Sequence, residues 1–130
     1  MTESFTITGQ TTSFIWVLLP SDLARGHFSF RLTAEGTCTG FFKGTFSFSE
    51  WVSANPLTLR GSNHGHILIT TSEGSTVSLA FAGDATANAV GGNFSVLSGT
   101  GDHFGLRGGG TYSGNAALEF TVDFGGRFIF

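Results

Sequence analysis

The sequence is poor in cysteine and in charge, and each shortage removes a class of function. Cys38 is the single cysteine, so an intramolecular disulfide is impossible, and no His or Cys stands at metal-finger spacing around it. It reads as a bystander. Charged residues make up 12% of the chain, and the six basic ones, Arg25, Arg31, Lys43, Arg60, Arg107 and Arg127, are scattered. Without a basic cluster to track phosphates, nucleic acid is not expected as a partner. Long apolar runs are also missing: FIWVLL, Phe14 to Leu19, is far short of the roughly 20 residues a bilayer-spanning helix needs, and it reads as a buried strand. The start, MTESFTITGQTT, lacks the basic residues, apolar run and cleavage site of a secretory leader, so cytoplasmic residence is expected. The terminal RFIF is similar to the last aromatic of outer-membrane barrels, but the short glycine-rich strands argue against membrane insertion. No break in composition divides residues 1–130, and one domain is expected.

Glycine and phenylalanine are abundant instead, at 20 and 15 residues. With many Ser and Thr they oppose helix and favour short strands joined by tight turns. In HFSFRLTAE, Phe28, Phe30, Leu32 and Ala34 alternate with polar neighbours, the period of two of a half-buried strand. FKGTFSFSEW places Phe42, Phe46, Phe48 and Glu50 on one face and Lys43, Thr45, Ser47, Ser49 and Trp51 on the other. The EGTCTG between them reads as a turn. HGHILITT and STVSLAFAG flank SEG as a hairpin, and Leu118, Phe120, Val122 and Phe124 form the apolar face of a last strand. Strands are expected near 3–8, 13–19, 27–35, 41–52, 63–72, 75–83, 92–98 and 109–124, with one short helical turn allowed in PSDLARG. An antiparallel set of this size must close or stack to avoid bare edges. Eight strands suit an antiparallel barrel wide enough for side chains or one small ligand, with a β-sandwich as the alternative.

Residues Gly91 to Gly114 read GGNFSVLSGTGDHFGLRGGGTYSG: an aromatic strand, G-T-G, a charged residue, an aromatic, small residues, and G-x-G-T opening another strand. This resembles the allene oxide cyclase-like barrel group, which includes dirigent proteins, some pericyclic cyclases of polyketide pathways and many bacterial proteins. A weaker likeness runs back to about Phe28. Gly99, Gly101, Gly105, Gly108 and Thr111 match the turn-forming part, with Phe104 and Leu106 as apolar anchors expected to plug the barrel's end. The resemblance implies a barrel with an apolar cavity and carries over no catalytic set.

The same stretch is not a phosphate loop, for no Lys-Ser or Lys-Thr follows it and no helix opens after it. Asp102 and Arg107 read as turn residues. His64 and His66 share a strand face but lack a third metal donor, and His27, Arg31 and Glu35 share another face as an outer-wall ion pair would; no metal or cofactor is expected. Glu50 stands apart, because alternation sets it among phenylalanines, where desolvation raises a carboxyl's pKa and suits it to proton transfer. Tyr112, the one tyrosine, can add a hydroxyl, while Trp16 and Trp51 read as packing or interface residues. Glu50 and Tyr112 are therefore the catalytic candidates, and Phe28, Phe30, Phe46, Phe48, Leu79, Phe81, Phe94 and Phe120 the candidate lining for a small apolar molecule. Three functions fit: a cofactor-independent cyclase or isomerase, a noncatalytic carrier, or a structural barrel filled by Phe and associating as a homo-dimer or homo-trimer.

Overall fold

The computed structural model describes residues 3–17, 24, 26–58, 60–86, 89–114 and 123–130. Among these, eight antiparallel strands follow one another around a closed barrel: β1 (Ser4–Val17), β2 (Phe28–Gly40), β3 (Gly44–Asn55), β4 (Arg60–Thr71), β5 (Thr76–Ala85), β6 (Val90–Gly99), β7 (Gly109–Gly114) and β8 (Asp123–Ile129). β8 returns to β1 from Gln10↔Asp123 to Ser4↔Ile129 and closes the cylinder. Closure gives each strand a neighbour on both sides, which removes the open edges of a flat sheet.

The strand count matches the expectation, but three boundaries differ. The two strands expected at 3–8 and 13–19 are one strand, β1. Its inward residues change parity, from Phe5 and Ile7 to Phe14, because the register shifts between Thr11 and Ser13, and the end of the strand is not the buried one expected, with Ile15 58% and Trp16 53% exposed. The extra residue of such a bulge turns the apolar face back inward. Thr12 and Ser13 each place a side-chain oxygen within 2.7 Å of Thr33 Oγ1 at this point. EGTCTG is not a turn. It completes β2, with Gly36 opposite Gly9 and Cys38 opposite Ile7, and the chain reverses instead at Phe41-Phe42-Lys43. A Cβ on Gly36 would collide with the Thr8 carbonyl oxygen and the Gly9 Cα, so this glycine pair lets two strands approach where the wall coils. The expected strand at 109–124 comprises β7 and the start of β8, and β8 continues through GGRFI. The side chains of Leu118, Phe120, Val122 and Phe124 lie outside the described residues, as does PSDLARG apart from Ala24 and Gly26.

Phenylalanine fills the interior. At the end bearing the Phe41–Lys43 turn, Phe5 stacks on Phe128 at 4.8 Å and meets Phe42 edge-on at 5.0 Å, while His103 contacts the Phe42 ring at 5.2 Å. These residues, with Phe130, close that end. Phe104 does not plug it: on the loop after the 3-10 turn Gly101–His103 it is 86% exposed, and only Leu106 packs against the core. Ser75 and Thr100 hold the loop, for Ser75 Oγ accepts from the Asp102 N–H at 2.9 Å and Thr100 Oγ1 from the Thr76 N–H at 3.0 Å. Towards the opposite end Phe14 stacks on Phe30 at 4.8 Å, with Trp16 edge-on to Phe30. No helix among the described residues is long and apolar enough to cross a membrane.

Candidate active site

Three polar side chains meet inside this apolar wall. Glu50 on β3 pairs with Gly65 of β4, and the cross-strand position beside it, Val52, pairs with Asn63. Period-two alternation directs Glu50 and Asn63 inward with Phe46, Phe48, Ile67 and Ile69. Both are 2% exposed. Asn63 Nδ2 donates to Glu50 Oε2 at 3.0 Å. From β7, the Tyr112 hydroxyl donates to Asn63 Oδ1 at 3.1 Å. A tyrosine O–H that donates to the amide oxygen fixes the amide, so its nitrogen faces the carboxyl.

The network leaves one atom unsatisfied. Glu50 Oε1 is buried and has no hydrogen-bond partner among the described residues. Desolvation dominates its electrostatics and raises the carboxyl to about 7, while the Asn63 hydrogen bond pulls the other way. Tyr112 is pushed up to about 12, first by burial and further by the charges of Glu50 and Asp84, against its bond to Asn63. Tyr112 therefore stays a neutral donor at physiological pH. Glu50 exchanges its proton there.

Beside these groups lies a cavity of ≈ 10 Å³, lined by Ile7, Phe48, Phe81, Val90 and Phe128 together with Gly114, Gly125 and Gly126 of the β7–β8 wall. That is room for about one water molecule. Phe48 and Phe81 stack at 5.0 Å, Phe81 meets Tyr112 at 5.3 Å, and Tyr112 stacks on Phe128 at 5.5 Å, so the walls are largely ring faces and edges. A larger hollow of ≈ 470 Å³ is on the outer wall, among Thr33, Glu35, Ser49, His66, Leu68 and Leu97, and has no comparable buried polar group.

The structure thus joins the two catalytic candidates, Glu50 and Tyr112, through a residue the sequence reading passed over. Asn63 was legible: it shares parity with Gly65, Ile67 and Ile69, and a buried amide among aliphatic residues needs a polar partner. The candidate lining residues Phe30, Phe46, Phe48, Leu79, Phe81 and Phe94 are all buried, and Phe28 is partly so, but they pack on one another as core and only Phe48 and Phe81 border the cavity. Phe120 lies outside the described residues. His64 and His66 point outward from β4, and no group of three metal-binding side chains occurs among the described residues. Arg31 lies 5.1 Å over the Trp51 ring on the outer wall. Asp102 and Arg107 are exposed in the loop before β7. Comparison with known proteins finds no matching family and no curated relative.

Proposed function

We propose that the protein is a cofactor-independent isomerase or cyclase for a small apolar molecule, with Glu50 moving the proton. The observation that carries this reading is the buried carboxyl of Glu50, held by Asn63 through one oxygen and left free at the other beside a cavity. A buried polar atom without a partner costs about 1–3 kcal/mol, which a purely structural acid does not require. The ionised carboxylate takes a proton from an activated carbon, the electron pair moves into the adjoining π system, and the neutral carboxyl returns the proton elsewhere on the same molecule. Atoms and electrons balance within the substrate. Tyr112 acts through Asn63 as a positioning residue, its hydroxyl already committed to the amide oxygen. The likeness of residues 91–114 to the allene oxide cyclase-like group bears on the barrel and an apolar interior, not on the catalytic residues. In this reading the protein works in the cytoplasm as a homo-oligomer, for which the exposed Ile15, Leu68, Leu97 and Phe104 offer apolar surface.

A second reading has one observation in its favour. The expected lining residues pack together and leave ≈ 10 Å³, as a purely structural barrel would. The base-sensitive carbon acid 5-nitrobenzisoxazole separates the two. A proton-transfer site opens this ring faster as pH passes 7, and Glu50→Gln lowers the rate on the order of 100-fold. Equal rates for wild type and Glu50→Gln leave the filled, structural barrel as the function.

A further inference from the structure

Two of the glycines beside Glu50 differ in why they are glycine. At Gly114 a Cβ would press on the Gly125 carbonyl oxygen at 2.5 Å, so the backbone itself forbids a side chain. At Gly126 the nearest atoms to a Cβ would be Ser113 O at 3.4 Å, Phe128 Cε1 at 3.5 Å and Ile7 Cγ1 at 3.7 Å, all ordinary contacts. Gly126 is not among the glycines with positive φ either. Neither sterics nor backbone conformation demands glycine there, although glycine weakens a strand. What its bareness preserves is the space that Ile7, Phe128 and Glu50 line.

We propose that Gly126 is a specificity-determining residue, whose missing side chain keeps open the one water-sized space beside Glu50 that a reacting C–H group must enter. The proposal rests on the reading of Glu50 as the proton-transfer group. The ring pairs Phe48–Phe81 and Tyr112–Phe128 are within 16° and 22° of parallel, and Phe81 stands edge-on to Tyr112, so the rings pack on one another around the space. As it stands the space admits about one water, so a methyl group is enough to fill it.

The test is Gly126→Ala, read in two ways. Because the methyl meets only ordinary contacts, the variant folds and melts at or above the wild-type temperature. A ¹³C-carboxyl NMR titration then follows Glu50 in both proteins. The groups facing it, Asn63 and Tyr112, are unchanged, so filling the one-water space beside Glu50 raises the midpoint by roughly half a unit or more. An unmoved midpoint overturns the proposal, because the bare side of Gly126 then does not face Glu50. In the second readout, kcat/KM for the planar 5-nitrobenzisoxazole falls at least about tenfold in Gly126→Ala, and an equal value overturns the assignment of specificity. Wild-type protein that does not open the probe at all defeats the proton-transfer reading itself, while the titration still decides whether Gly126 walls the Glu50 site.

Discussion

At the scale of single residues, burial acts on chemically similar groups with different consequences. Cys38 is 1% exposed, and burial pushes its thiol up to about 12. With almost no thiolate at neutral pH it is inert, and it should resist 5,5′-dithiobis(2-nitrobenzoate) in the native protein while reacting fully in denaturant. Glu50 experiences the same desolvation but has one hydrogen-bond donor, and it titrates near 7. The folded carboxyl therefore binds its proton more tightly than the unfolded one, whose ordinary value is 4.5. Between those values the native state holds more protons, so stability is highest below about 4.5, falls as pH rises, and levels off above about 7. The span corresponds to a loss on the order of 3 kcal/mol. Denaturant unfolding at a series of pH values should show this decline in the wild type. It should be absent in Glu50→Gln, which keeps the acceptor for Asn63 and loses the charge. An undiminished slope in that variant would assign the linkage to other groups.

At the scale of elements, legibility in the sequence followed from how directly alternation reports burial. β3 was readable because Phe46, Phe48 and Glu50 keep one parity along the strand, and that parity alone set Glu50 inside. β1 was not, because its bulge reverses parity in the middle and the polar stretch Gly9–Thr12 looks like a loop. EGTCTG misled for a related reason: glycine is a turn signal on average, yet here Gly36 serves a close strand approach. Phe104 was misread as a plug because hydrophobicity was taken for burial, and a single exposed aromatic on a surface loop is not unusual. The two kinds of strand glycine make a testable contrast. Gly36→Ala would drive a methyl into the Thr8 carbonyl and should destabilise by about 1–3 kcal/mol, whereas Gly126→Ala should be neutral or stabilising. Chemical unfolding of the two variants measures both, and equal losses would show that the close approach at Gly36 is not what requires its glycine.

At the scale of the whole molecule, the decisive contact is the one made last along the chain. Seven strand pairs join neighbours in sequence, but β1 and β8 must meet across almost the full length of the polypeptide. The entropic cost of closing that loop precedes the packing that offsets it, so barrel closure is the natural late step in folding. Phe128 sits at this closure. It is 2% exposed, lies opposite Phe5 in the β1–β8 register and opposite Tyr112 in the β7–β8 register, and stacks on both rings. Truncating it removes packing from the seam and from the wall of the Glu50 cavity together. Phe128→Ala should cost about 3–5 kcal/mol, and chiefly as faster unfolding, because contacts formed after the transition state affect the rate of leaving the native state. Stopped-flow unfolding and refolding of this variant measure that partition. Slowed refolding with unchanged unfolding would instead place the β1–β8 seam in the folding nucleus, and the barrel would then close early around its polar centre.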